Sequence, residues 1–198
     1  MQNRKTEIGQ EGEWVRRSQN GEPEAFGQLV ERYQRRILSL VYHVVRRPAE
    51  VEDLVQEIFV KAFMGVRSYS FQASFGTWLS RIAVNHCYDY LRHQRVSRVE
   101  YYADLSEGRQ RQVETRFEQP NRGQSSHEDQ IAARELVAKL LDRAPPDDRI
   151  ILTLKELDGL SIEETGNILG IKPANVKVRL HRARKRMLAD LKRLREGK

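Results

Sequence analysis

Cysteine occurs once in the 198 residues, at position 87. A lone thiol closes no internal disulfide and supplies no cysteine-based zinc set, so a secreted disulfide scaffold is excluded and the cytoplasm is the expected compartment. Long apolar runs are also missing. No window approaches the ~18 apolar residues that a membrane span needs, and the opening MQNRKTEIGQEGEW has no apolar core, so neither membrane insertion nor a signal peptide is expected. Histidine is scattered: His43, His86, His93, His127 and His181 form no HxxxH pair, and the adjacent His86 and Cys87 cannot easily hold one metal from a helix. Glu52, Asp53 and Glu57, or Glu163 and Glu164, have neither a companion histidine nor a glycine-rich phosphate loop. The expectation is therefore no catalytic residue, no metal and no cofactor. Strand-like alternation persists nowhere, which points to an all-α chain.

What the chain has in excess is positive charge, and it is local. The formal net charge is +7. Residues 172–198 hold eleven Lys and Arg against Asp190 and Glu196, which is +9, so the other residues sum to −2. A bare charge run is a solvated face or a disordered arm. Here Val176, Leu180, Ala183, Met187, Leu191 and Leu194 recur at helical spacing within it, anchoring one face while the cations occupy the others. A packed helix with a cationic face suits a polyanion.

Upstream, Phe26, Leu29, Val30, Tyr33, Ile37, Leu40, Val41 and Val44 predict a helix over 24–46, ended by Pro48. Leu54, Val55, Ile58, Phe59, Ala62, Phe63 and Val66 predict a second over 50–66, with Asp53, Gln56, Glu57 and Lys61 off the apolar stripe. Between Arg67 and Thr77 the segment SYSFQASFGT reads as a loop with aromatic side chains at its tip. Trp78, Leu79, Ile82, Ala83, Cys87, Tyr90 and Leu91 then predict a third long helix, to about Arg95. Three such helices close a small core, and Cys87, on the apolar side, reads as a core residue.

From Val96 to about Glu128 neither period holds, and this reads as a flexible linker between two small helical domains. The expected organisation is an N-terminal extension over 1–22, a helical domain over 23–95, a linker over 96–128 and a second helical domain over 129–198. In the second domain Ile131, Leu136, Val137, Leu140 and Leu141 predict a short helix stopped by Pro145 and Pro146. Asp147 or Asp148 is positioned to cap the next helix, through Leu157.

Ser161 followed by Glu164 makes a capping box for a helix over 161–169, Gly170 supplies a turn, and Pro173 opens a basic helix over 173–195. Two short helices meeting through a glycine turn form a helix-turn-helix, whose second helix enters the major groove by its first turns. A basic αα-hairpin is the plainer alternative. In the groove-binding geometry Asn175, Lys177, Val178, Arg179, His181 and Arg182 are placed for base edges. Asn suits adenine, Arg and Lys suit guanine, and Val178 can meet only a thymine methyl. His181 reads equally well as a surface histidine. Arg184, Lys185 and Arg186 come later and suit phosphates.

The segments AFGQLVERYQRRILSLVYHVV (25–45), VEDLVQEIFVKAF (51–63), FGTWLSRIAVNHCYDYLR (75–92) and LDGLSIEETGNILGIKPANVKVRLHRARKRM (157–187) resemble the extracytoplasmic-function group of bacterial sigma-70 factors. The runs Asp53 to Glu57, Thr77 to Leu79 and Ile82 to Asn85 are the more specific part of the likeness. The resemblance implies an alternative sigma factor: 23–95 as sigma region 2 and 129–198 as region 4, with core RNA polymerase and promoter DNA as partners and control by an anti-sigma factor. It implies that Asp53, Gln56 and Glu57 bind the clamp helices of the polymerase, and that the helix from Pro173 reads the −35 element. It further implies that a base of the melted −10 strand enters a pocket formed by the loop before the third helix. Tyr69, Ser70, Phe71, Gln72 and Ala73 match that loop by position, and Asn85 matches a polar residue lining the pocket. Aromatic faces at Tyr69, Phe71 and Phe75 suit the stacking that unpaired bases need; Phe75 and Trp78 read equally as core. The chain departs from the usual pattern at Ser70-Phe71, where an Arg-Gly pair is common, and at Val178, where a polar residue is frequent. The alternative is a stand-alone helix-turn-helix regulator of duplex DNA, which would bind its promoter without core polymerase.

Overall fold

Proline opens four of the helices, at Pro23, Pro48, Pro146 and Pro173. Its fixed φ suits the first helical turn, and its missing N–H is one that the helix could not have used. The computed structural model describes residues 2–102 and 136–196, and among these the regular elements are all helical. In chain order they are α1 (Gln2–Gln19), α2 (Pro23–Val45), α3 (Pro48–Gly65), a 3-10 turn (Val66–Ser68), α4 (Phe75–Tyr102), α5 (136–143), α6 (Pro146–Leu152) continued by a π turn (Thr153–Leu157), α7 (Ile162–Leu169) and α8 (Pro173–Arg195).

Helices α2, α3 and α4 close the first core around Leu29, Ile37, Leu40, Ile58 and Leu79, all fully buried. The N-terminal extension carries little apolar periodicity, yet it forms α1 and packs along α2. Val15 is buried there, Trp14 is half-buried against the same cluster, and Glu11 accepts a hydrogen bond from the Tyr33 hydroxyl at 2.7 Å while pairing with Arg32 at 3.0 Å. The second core joins Ile151 and Leu152 of α6 to Val176, Leu180 and Ala183 of α8.

The two units also touch. Ile150, Leu154, Leu160 and Ile168 continue the apolar cluster of the first unit into the second. Around that contact Arg46 Nε donates to Asp142 at 2.7 Å, and the Tyr88 hydroxyl donates to Asp147 at 2.7 Å. Arg36 faces Asp158 at 3.5 Å, where burial pushes the Asp158 carboxyl above its ordinary value despite the cation.

Three expectations change. The third helix starts at Phe75 because Ser74 caps it, its hydroxyl oxygen accepting from the Thr77 N–H at 3.1 Å. The same helix runs on to Tyr102 because residues 96–102 contain no Gly or Pro to stop it. The expected linker is thus helical over 96–102, and its remainder, 103–128, lies outside the described residues, as does Ile131. Finally, neither Asp147 nor Asp148 caps α6. Pro145 holds the cap position, with Pro146 next, so both aspartates fall in the first turn. There Asp148 accepts two hydrogen bonds from Arg186, at 2.5 and 2.6 Å.

Candidate nucleic-acid interface

The helix-turn-helix follows its local signals closely. Ser161 Oγ accepts from the Glu164 N–H at 3.0 Å, and Glu164 Oε2 accepts from the Ser161 N–H at 2.8 Å, completing the capping box. Gly170 ends α7 in the left-handed region at φ 65°, where a side chain would be strained. Gly166 lets the next segment cross closely: a Cβ there would lie 2.8 Å from the Ile171 carbonyl oxygen.

This seats α8 with Val176, Leu180 and Ala183 inward. Asn175, Lys177, Val178, Arg179, His181, Arg182 and Lys185 are all exposed, with Val178 at 49%. Helical spacing puts Asn175, Val178, Arg179 and Arg182 along one stripe and Lys177, His181 and Lys185 along the next. Arg184 is less free than the others, because its guanidinium donates twice to Glu156 of the π turn, at 3.0 and 2.6 Å. Arg186 is held by Asp148.

On the first unit, Asp53, Gln56 and Glu57 lie exposed on α3. Asp53 and Glu57 border a cleft against α4, across which Glu57 Oε2 lies 2.8 Å from Nε2 of the buried His86. Lys61 Nζ sits 2.7 Å from His86 Nδ1. Burial first, and the Lys61 cation second, hold the imidazole below its ordinary pKa, with Glu57 pulling the other way. A neutral ring accepts from Lys61 at Nδ1, while Nε2 faces the Glu57 carboxylate without a hydrogen-bond partner among the described residues.

The loop before α4 divides its aromatics between inside and outside. Tyr69 is only 7% exposed and Phe75 only 2%, whereas Phe71 is 45% exposed. Tyr69 packs on Phe71, Phe75 and Trp78 with ring centroids 4.8, 5.7 and 5.3 Å apart, and its hydroxyl donates to the Ala73 carbonyl at 2.6 Å. The open stacking faces expected at Tyr69 and Phe75 are therefore spent within the protein, and Phe71 carries the exposed ring. Ser70 and Gln72 are exposed beside it, and Ala73 is half-buried. Phe71 occupies the left-handed region at φ 59°, a conformation natural to glycine. Asn85 is exposed on α4, seven residues past Trp78, which is about 10 Å along the helix axis. Cys87 is fully buried and its thiol is pushed up to about 12, so it stays protonated at neutral pH.

Two α1 residues join this loop. Gln19 Nε2 donates to the Val66 carbonyl at 3.0 Å and the Tyr69 carbonyl at 2.7 Å, and the Arg16 guanidinium lies 5.4 Å from the Phe71 ring centroid. No motif in the sequence marks either residue, because the contacts span about fifty positions and their helix lacks a clear apolar stripe.

Comparison with known proteins gives one consistent picture. The family model described as Sigma-70 region 2 matches residues 29–96, and that described as Sigma-70, region 4 matches 134–187. The chain is 31% identical to the ECF RNA polymerase sigma factor SigW of Bacillus subtilis, over 91% of this chain and 96% of that one. It is 36% identical to the ECF RNA polymerase sigma-E factor of Escherichia coli, over 86% and 88%. Among solved structures, CnrH in complex with the cytosolic domain of CnrY superposes with a TM-score of 0.64 at 25% identity, covering 90% of this chain and 95% of that one. The sigma factor RpoE bound to the anti-sigma factor NepR, from Bartonella quintana, shares the fold at a TM-score of 0.63 and 24% identity, covering 84% and 96%.

Proposed function

Because this chain belongs to the extracytoplasmic-function group of the sigma-70 family, we propose that its two helical units divide the reading of a promoter between them. The protein is an alternative sigma factor, a transcription initiation factor that works with core RNA polymerase and promoter DNA and has no catalytic chemistry of its own. Residues 23–95, with the extension 1–22 packed on them, are region 2; residues 129–198 are region 4; residues 96–128 join the two.

The observation that carries the residue assignment is the division of α8 into a buried face and an exposed stripe of Asn175, Val178, Arg179 and Arg182 directly behind the capped α7. In the −35 major groove Asn175 suits adenine, Arg179 and Arg182 suit guanine, and Val178 suits a thymine methyl. Lys177, His181 and Lys185 flank that stripe toward the phosphates, and Arg184 reaches them only by leaving Glu156. Phe71 offers the stacking face for an unpaired −10 base, with Ser70, Gln72 and Ala73 beside it and Tyr69 packed against its ring, and Asn85, further along α4, meets the same strand. Asp53, Gln56 and Glu57 take the polymerase clamp.

The two promoter elements lie about 25 base pairs apart by name, on the order of 85 Å of duplex. Two units in direct contact cannot span that, so the contact through Asp142, Asp147 and Asp158 opens when the promoter is read. An anti-sigma factor is the partner that controls this, acting in the cytoplasm; the structural relatives, complexes of CnrH with CnrY and of RpoE with NepR, support that reading. No helix among the described residues is long and apolar enough to cross a membrane.

Run-off transcription from genomic fragments, with purified core polymerase and with or without this protein, tests the function. Transcripts that appear only with the protein are expected, and their start sites reveal the −35 and −10 sequences. A protein that shifts promoter duplex alone and adds no transcript with core would overturn it.

A further inference from the structure

Helix α1 reaches the strand-separation loop by side chains that its packing on α2 does not need. Val15, Trp14 and the Glu11 to Tyr33 bond fasten α1 to the first core. Arg16 is exposed and Gln19 half-buried, both at the end of α1 nearest the loop. One amide group places both of its hydrogens on loop carbonyls, those of Val66 and Tyr69. The Val66 carbonyl also closes the 3-10 turn by accepting from the Tyr69 N–H at 3.1 Å, and the Tyr69 carbonyl is the last one before Ser70 and Phe71. On the far side, the Tyr69 hydroxyl ties Ala73 at 2.6 Å. The four residues from Tyr69 to Gln72 are thus pinned at both ends, and Arg16 lies over the ring of the one in the left-handed region.

We propose that Gln19 and Arg16 are positioning residues for the unpaired-strand loop: they hold Phe71 in its left-handed conformation, with its ring turned outward for a base. A glycine at this place adopts that backbone freely. Phenylalanine does not, so the shape has to be imposed from outside the loop, and the sequence that imposes it lies about fifty residues upstream. The inference rests on the assignment of this loop to the melted −10 strand.

The test uses the holoenzyme with core polymerase and fork-junction DNA whose non-template −10 strand is unpaired, with affinity for −35 duplex and for core as controls. Gln19→Glu keeps the length of the side chain but turns a carboxylate toward two carbonyls. It is expected to weaken fork binding by roughly five- to tenfold, a lost hydrogen-bond pair, and Arg16→Ala by about threefold. Both controls should stay within about twofold. In a Phe71→Gly background the additional loss from either change should shrink to under about twofold, because glycine needs no clamp. If Gln19→Glu frays α1 in thermal melts, Gln19→Ala, which only deletes the donor, carries the same expectation. Should Phe71→Gly weaken fork binding while the Gln19 and Arg16 changes do not, the clamp is refuted and the reading of the loop stands. If none of them alters fork binding, the loop reading itself falls. Equal losses on fork, −35 duplex and core would reduce α1 to a general structural support and overturn the proposal.

Discussion

The two surfaces assigned to DNA are built by opposite means. In the helix-turn-helix the contacts that set the turn are short-range: Ser161 caps through Glu164 three residues on, and the Ile171 N–H closes on the Gly166 carbonyl at 3.0 Å. In the loop before α4 the decisive contacts come from far away in the chain, from Gln19 and Arg16 on one side and from Tyr33 against Phe75 on the other. A surface that must present one rigid helix to a groove can be specified locally, by caps and turns. A surface that must receive a base flipped from its stack needs a pocket, and a pocket wall is assembled from several elements.

The sharpest way to break that comparison is at Gly166. A Cβ there would sit 2.8 Å from a backbone oxygen that cannot swing away. Gly166→Val should cost the second unit about 3 kcal/mol, read as a lowered midpoint in urea unfolding with α8 losing its helical signal first. Duplex −35 binding should fall with it, while core affinity, assigned to α3, should hold. A variant with unchanged stability would mean that α7 and α8 separate without penalty and that the turn is not set locally.

The matching change in the loop acts on function more than on stability. Phe71→Ala deletes the exposed ring but keeps most of the backbone strain, so stability should move by less than about 1 kcal/mol, since the ring pair with Tyr69 is worth only that much. Capture of an unpaired −10 strand should lose about 1–3 kcal/mol, the value of one stacked base, measured on fork-junction DNA. If Tyr69→Ala lowers strand capture without lowering the melting temperature, then Tyr69 opens its face to DNA and the division between an outer Phe71 and an inner Tyr69 is wrong.

This contrast also decides what was legible beforehand. The periods of α2 and α3, the capping box, Gly170 and Pro173 were readable because each acts within one helical turn of where it stands. The six groove candidates Asn175, Lys177, Val178, Arg179, His181 and Arg182 follow from them, whereas their division into two stripes comes from the burial of Val176, Leu180 and Ala183. The role of Asp148 was not readable, because its partner Arg186 lies 38 positions away and Pro146 had already taken the first helical position. Nor was the burial of Tyr69 and Phe75: exposed and buried aromatics look alike in a loop without period, and only the packing of Trp78 and Tyr33 separates them. Helix α1 is the element least legible in the sequence. Its few apolar residues make no stripe, and it is held by polar pairs such as Glu11 with Tyr33 and Arg32.

A smaller effect is expected where the two units meet. Arg46 is in the left-handed region at φ 58°, its guanidinium 5.1 Å from the Tyr42 ring centroid and bonded to Asp142. The Asp142 side chain is 54% exposed, so the pair contributes no more than about 1 kcal/mol to the contact. Arg46→Ala should shift the units toward separation by a few-fold, seen as a lower transfer efficiency between dyes on α2 and α8. Duplex −35 binding without core should rise by the same factor if closure hinders it. A rise in separation with no change in binding would show that the closed contact leaves α8 free.

The weakest lever is the proton on His86, and its sign can be worked out. Burial and Lys61 lower the folded-state pKa of this imidazole below the ordinary 6.5, against the opposing pull of Glu57 and Asp89. The unfolded chain therefore binds a proton at a higher pH than the folded one does. The stability tied to a neutral His86 is fully present above about pH 6.5 and declines as the pH falls from there toward the folded-state value. Wild type should thus lose stability relative to His86→Gln between pH 7 and 5.5, because glutamine cannot charge beside Lys61. Protonation also ends the acceptor role of Nδ1 toward Lys61 and strengthens the hold on Glu57, one of the three residues assigned to the polymerase clamp. Core affinity should then weaken over the same interval, and not in His86→Gln. Parallel pH profiles for the two proteins, in both melting temperature and core affinity, would show that this cluster is a fixed part of the fold with no say in how α3 meets the polymerase.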